Sequence, residues 1–357
     1  MAEIDAERLL NSLAEMAKIG RTAKGGVCRL AATNEDKNAR DLFTTWATKA
    51  QCVISVDQIG NIFAHRPGQN DNLPPVVLGS HLDSQPTGGK FDGTYGVLAA
   101  LEVIRCLNDN KIETARPVEA VSWTNEEGSR FPPAMMGSGV FTGSIDLHKA
   151  LSTKDSNGIS LGMALSTINY AGETSCGNRP IHAYLEAHIE QGPILEQENA
   201  TIGVVTGIQG IRWFDIVIEG KEAHAGPTPM PSRHDALTAA ADLALQIEAL
   251  ADHYSPDGRT TIGTIENFPN SRNVIPGQVK LGLDMRHPNT EVLSEMARNL
   301  HSVFDAMCKA RKVTGRLDEI WYSPPTLFDT QSIDSVEKAA LMRQFTYHRI
   351  TSGAGHD

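Results

Sequence analysis

The sequence predicts an α/β protein in two parts: a mostly parallel sheet covered by helices, and a smaller α+β unit of ferredoxin-like connectivity inserted into it. Three observations carry this. At 357 residues the chain exceeds the size at which a single hydrophobic core keeps growing. In the first half, short apolar runs alternate with segments of helical spacing, as in a sheet with both faces covered. From about Gln209 to Tyr322 the order becomes strand, long helix, strand, strand, helix, strand, which is the split βαβ unit. Residues 1–208 and 326–357 are therefore expected to form one domain and 209–325 the insert, because Phe328 onward must return to the first sheet.

Taken in order, Leu9, Leu10, Leu13, Met16 and Ile19 mark an amphipathic helix over 5–19, ended by Gly20. Thr33 before Glu35 and Asp36 is a cap-like start to a helix carrying Leu42, Phe43, Trp46 and Ala47. Cys52 to Asp57 and Asn61 to His65 form a hairpin around Gly60. Pro74 to Leu78 reads as a short buried strand delivering its carboxyl end into Gly79-Ser80-His81-Leu82-Asp83-Ser84. A helix follows over about Tyr95 to Leu107, then an apolar strand over Val118 to Trp123 that ends in Thr124-Asn125-Glu126-Glu127. Residues 144–180 read as a short helix and loops, and Ala183 to Ile189 as another strand, ending in His188, Glu190 and Gln191. In the insert, helices fall over about Ala236–Leu250 and Val292–Ala310, with strands at Trp213–Ile218, Thr260–Ile265 and Gln278–Asp284.

Composition narrows the function classes. Hydrophobic residues at 40% and charged residues at 21% describe an ordinary globular enzyme. The formal net charge of -11, with no Lys/Arg cluster, argues against nucleic acid and anionic membranes as partners. The first twenty residues carry acids where a signal peptide carries bases, and no apolar stretch is long enough to cross a bilayer. Five scattered cysteines without a C-x-x-C pair fit free thiols in a reducing cytoplasm.

The chemistry gathers where strands end, the place at which open α/β sheets bind ligands. One strand ends in His81, with Asp92 eleven residues on, the next in Glu126 and Glu127, the third in His188. His356 sits in another loop of small residues, 352–357. Any one of these histidines alone is more often a core or surface residue. Three imidazoles with two or three carboxylates form a donor set that suits zinc, manganese, cobalt or nickel. A two-ion centre would share Asp92, with His81 and His188 on one ion and Glu127 and His356 on the other. Asp83 would orient the His81 ring from behind, and Glu126 is left over as a general base for water.

The segments GSHLDSQPTGGKFDG, WTNEEGSRFPPAMMGSG, HIEQGP, GKEAHAGPTPM, PNSRNVIPG, LDMRHP and SGAGHD resemble the hydantoinase/carbamoylase family of amidohydrolases, within the aminoacylase/carboxypeptidase metallopeptidase superfamily. That resemblance implies a di-metal catalytic domain and a smaller dimerisation domain. It implies His81, Asp92, Glu127, His188 and His356 as ligands, Asp92 as the bridge and Glu126 as acid/base. It adds His224 as the residue that reaches a neighbouring subunit's site and steadies an oxyanion. Arg286 and Asn273 are implied to hold the substrate carboxylate, with Gln191 and Gln209 as contacts to the ureido group. Relatives of this type continue for roughly fifty residues past the last ligand, so the carboxyl-terminal part is expected to be truncated, with His356 the ligand most open to displacement and the second ion the weaker.

The expected activity is hydrolysis of the ureido C–N bond of an N-carbamoyl α- or β-amino acid, to amino acid, ammonia and carbon dioxide. It would need two divalent ions per chain and no organic cofactor, in a cytoplasmic homodimer. Allantoate is the alternative substrate. A metallo-dipeptidase or aminoacylase, and a catalytically impaired truncated form, are further alternatives that the residues leave open.

Overall fold

Caps and apolar stripes set the helices of the first unit in the computed structural model, which describes residues 2–177 and 179–357. The Asp5 carboxylate accepts from Arg8 N–H to start α1 (Ala6–Met16). Thr33 accepts from Asp36 N–H to start α2 (Asn34–Lys49), while the Asp36 carboxylate reaches back to Ala32 N–H at 2.8 Å. The expected hairpin is present as β1 (Val53–Val56) and β2 (Ile62–Arg66), turned by Gly60 at φ 88°. Then come β3 (Val76–His81), α3 (Asp92–Asp109) and β4 (Val118–Trp123), which is buried at every position. Three short helices, α4 (Met136–Phe141), α5 (Leu147–Ser152) and α6 (Leu161–Thr167), precede β5 (Ala183–Leu185).

These strands form one sheet in the order β1-β2-β4-β3-β5. β3 runs parallel to both β4 and β5, but the β1–β2 hairpin joins the other edge of β4 antiparallel. The expected mostly parallel sheet is thus a mixed one, because a tight hairpin forces antiparallel pairing and occupies the place of a crossover. Alternation along the strands divides the core. Ile62, Ala64, Val118 and Ala120 join Phe43, Leu98, Leu101 and Ile104 of the helices, while Phe63, Val77, Val121 and Trp123 form a second cluster on the opposite face.

Two compact units divide the chain: residues 1–194 with 356–357, and residues 195–355. α7 (Ile194–Gln197) carries the chain from the first to the second. In the second unit come β6 (Ile202–Ile208), β7 (Gly210–Glu219), β8 (Ala223–His224), α8 (Ala236–His253), β9 (Arg259–Phe268) and β10 (Val274–Ile275). They are followed by β11 (Gln278–His287), α9 (Thr290–Arg311), β12 (Thr314–Ser323), β13 (Thr326–Leu327), α10 (Thr330–Met342) and β14 (Tyr347–Ser352). An antiparallel sheet of order β12-β7-β11-β9 packs one face on α8 and α9 through Phe214, Ile216, Leu281, Leu243, Leu300 and Phe304. β6 pairs with β13 and β14 in a sheet of its own. The unit boundary falls at 194/195 rather than at the expected 208/209, while the ladder partners of β6 lie at 326–352, the segment expected to share its domain, in a sheet separate from the first.

Candidate metal centre

Register brings the chemistry of the first unit together. His81 closes β3 and pairs with Trp123 at the end of β4, so the turn that follows Trp123 lies beside the loop that follows His81. On the other side of β3, the ladder with β5 stops at Leu78 and Leu185, and Glu186 and His188 emerge just beyond it. β5 is shorter than the strand expected to reach Ile189, because no ladder partner continues past Leu185. Asp92 opens α3, where the positive end of the helix favours a carboxylate. Buried Asn125 takes a left-handed φ of 56° and donates to the Phe131 carbonyl at 2.7 Å, turning the chain to present Glu126.

The imidazoles are held from behind. His81 Nδ1 donates to the Asp83 carbonyl at 2.9 Å, and His188 Nδ1 to the Ile189 carbonyl at 2.9 Å. A carbonyl only accepts, so both rings carry a proton at Nδ1 and turn Nε2 toward the carboxylates. His81 Nε2 lies 3.4 Å from Glu126 Oε2, and His188 Nε2 lies 3.3 Å from Asp92 Oδ1. The ligand atoms of His81, Asp92 and His188 lie within 4.8 Å of one another, as do those of Glu186, His188 and His356. Two imidazoles with one carboxylate, twice over and sharing His188, fit a divalent ion of the zinc or manganese kind. Glu127 belongs to neither group and accepts from the Gln85 backbone at 3.3 Å and side chain at 3.1 Å.

Asp83 acts differently from expectation. Its carboxylate is 3.9 Å from His81 Nδ1 and instead accepts from the backbone N–H groups of Glu126 and Glu127, at 3.2 Å each. Its main-chain carbonyl, not its side chain, holds the His81 ring. Fully buried Arg29 stiffens the same loop, donating to the carbonyls of Leu82 and Ile19 and to the Thr94 hydroxyl at 2.7 Å.

Burial pushes the Glu126 carboxyl up to about 7, with repulsion from Asp83, Glu127 and Glu186 adding to it and His81 opposing. Burial alone would lower His81, but Glu126 and Asp83 raise it to about 10. Burial works against Asp92 too, yet its hydrogen bond with His188 and the nearby His81 hold it below the ordinary carboxylate range. His356 is driven down to about 4 by burial and by the neighbouring imidazoles.

The remaining expected residues lie elsewhere or are otherwise engaged. Gln191 donates to Asp92 Oδ1 at 2.8 Å. In the second unit, Gln209 and Arg286 both donate to the Gly353 carbonyl, at 2.8 and 2.7 Å, and Asp284 grips the Arg286 guanidinium at 2.7 and 2.9 Å. His224 pairs with Val274, next to Asn273, in the β8–β10 ribbon. Two residues not singled out in the sequence join the centre. Glu186 stands with His188 and His356, and half-buried Asp357 accepts from Ser138 Oγ at 2.5 Å. The signal for Glu186 was its spacing of two from His188, which puts both on one side of an extended segment.

Residues 77–357 match the peptidase family M20/M25/M40. The chain belongs to this family. An N-carbamoyl-L-amino-acid amidohydrolase of Rhizobium meliloti is 42% identical over 99% of this chain and 85% of its own length. An allantoate amidohydrolase of Bacillus subtilis is 34% identical over 96% of this chain and 84% of its own. A hydantoinase/carbamoylase family amidase of Burkholderia multivorans superposes with a TM-score of 0.92 at 51% identity, covering 99% of this chain and 86% of the other. This M20 member is a metal-dependent hydrolase that acts on C–N bonds of linear amides outside peptides. Among the described residues no helix is long and apolar enough to cross a membrane.

Proposed function

We propose that the chain hydrolyses the ureido C–N bond of an N-carbamoyl amino acid, consuming water and releasing the amino acid, ammonia and carbon dioxide. The observation that carries this is Glu126, a buried carboxylate outside both ligand groups yet 3.4 Å from His81 Nε2. The relative of Rhizobium meliloti named for that substrate supports the choice over allantoate, whose named relative is less similar. His81, Asp92, Glu127, His188 and His356 would hold two divalent ions, which would supply a water reactive at neutral pH and polarise the carbamoyl oxygen.

Glu126 takes the proton of the attacking water and delivers it to the departing nitrogen, a task for which a carboxyl raised by burial is suited. Asp83 keeps that carboxylate in place by accepting from the Glu126 and Glu127 backbone. His224 is assigned to the oxyanion in a homodimer, Arg286 and Asn273 to the substrate carboxylate, and Gln191 and Gln209 to the ureido group. A guanidinium suits a carboxylate because it donates two parallel bonds.

Ammonia release by the Mn2+-loaded protein from an N-carbamoyl-L-amino acid, N-carbamoyl-β-alanine and allantoate, beside cleavage of dipeptides, tests this. Turnover is expected on the first, with Glu126→Gln slower by about 10²- to 10⁴-fold at unchanged metal content. No ammonia from any ureido acid, or equal rates for the variant and the native chain, overturns it.

A further inference from the structure

We propose that Glu186 is the positioning carboxylate of His356, fixing that ring for the ion it would bind; this rests on the reading of His356 as a ligand. Two other imidazoles of the centre show how such a ring is held. His81 and His188 each present Nδ1 to a carbonyl oxygen, and each directs Nε2 away from it toward Glu126 or Asp92. The Nδ1 of His356 lies 4.0 Å from Glu186 Oε1, at ion-pair rather than hydrogen-bond distance, and a small turn of the ring would close it. A ligating imidazole is oriented by whatever accepts from its other nitrogen, and a carboxylate there also makes it a stronger donor.

Glu186 is itself built into the strand ends. Ser80, wholly buried beside His81, donates its hydroxyl to Glu186 Oε1 at 2.6 Å. The Tyr184 hydroxyl donates to Glu186 Oε2 at 2.7 Å and accepts from Trp123 Nε1 at 3.1 Å. The chain Trp123–Tyr184–Glu186–Ser80 thus joins β4, β5 and β3, and both oxygens of the carboxylate are pinned before any ring approaches. Such anchoring is what a positioning group requires, since a free glutamate would lose rotamer entropy each time it held the ring. Ser80 and Tyr184 each take one lone pair of its two oxygens, and of the roles that remain Glu186 is assigned to His356 rather than to the ion.

Mn2+ binding to the full-length metal-free protein, read from the free-ion paramagnetic resonance signal, tests this without reference to turnover. Glu186→Ala is expected to weaken, by roughly ten- to a hundred-fold, the same ion that His356→Ala removes, and to leave the other ion unchanged. Glu186→Gln, which keeps size and an acceptor and serves if the alanine variant fails to fold, is expected to weaken it less. Adding Glu186→Ala to His356→Ala is expected to change nothing further, because the first acts only through the second. Native binding of both ions by the two Glu186 variants overturns the proposal. Equal weakening of both ions, complete loss of one in Glu186→Gln, or an effect of Glu186→Ala in the His356→Ala background does the same. Ammonia release by the native protein is read separately, so the hydrolase reading and this one fail independently.

Discussion

Asp83 separates two things that a residue can contribute, its side chain and its main chain. The carbonyl orients His81 while the carboxylate accepts from two consecutive N–H groups, 43 and 44 positions further along. Asp83→Asn would turn an amide NH₂ toward one of those buried donors, at a cost of about 1–3 kcal/mol. A lowered midpoint of thermal unfolding for the metal-free variant, with the His81 ring still able to bind an ion, is the expected result; an unchanged midpoint removes this role. Residue type and spacing made His81, Asp92, Glu126 and His188 readable as one group, since imidazole and carboxylate at successive strand ends have few other uses. The same reasoning put the Asp83 carboxylate on the ring. Which of its two acceptors would face the ring depends on the path of the loop, and the loop is fixed by Arg29 and Thr94 from distant elements.

At the scale of the element, α3 begins earlier than its apolar spacing indicates, at Asp92 rather than Tyr95. The added turn is Asp92-Gly93-Thr94, polar and glycine-bearing, and it is helical because it packs against His81. A Cβ on Gly93 would land on the His81 ring. Helix propensity favours Gly93→Ala by up to about 1 kcal/mol, but displacing a ring in a packed site costs about 1–3 kcal/mol. Packing is expected to win. Mn2+ affinity of Gly93→Ala should fall by about tenfold or more, and native affinity would show that the ring has room. Elsewhere the elements were legible. The hairpin at β1 and β2, the buried β4 and the two long helices of the second unit stand close to their expected places, because each carries its own turn, cap or stripe. β5 was overread, since an alternating run cannot reveal where its ladder partner ends.

For the whole molecule, the two units have separate hydrophobic clusters, and every member of both ligand groups lies in the first unit. An ion that binds only the folded state adds about 2.7 kcal/mol at a free concentration of ~100 times Kd, or roughly 5–10 °C for a unit of this size. Calorimetry of Mn2+-loaded and chelated protein should show a shift of that order confined to the transition of the first unit. A shift in the second unit alone, or none, would remove the ligand groups from consideration. The boundary between units was the least legible feature. β6 reads as one more apolar strand after β5, and nothing local tells that its partners are β13 and β14, more than a hundred residues later.

What the sequence determined by itself was the inventory: which side chains can bind a cation or move a proton, and that they fall at the ends of strands. Periodicity and residue chemistry are local properties, so they survive the loss of coordinates. Tertiary structure alone decided the pairings. It set the carboxylate of Asp83 on backbone, brought Glu186 to His356, placed Gln191 on Asp92 and Arg286 on Asp284, and grouped β6 with the second unit. Each of these depends on ladder registers and buried side-chain packing between segments far apart in the chain, and a bond of about 3 Å is decided only when both ends are held.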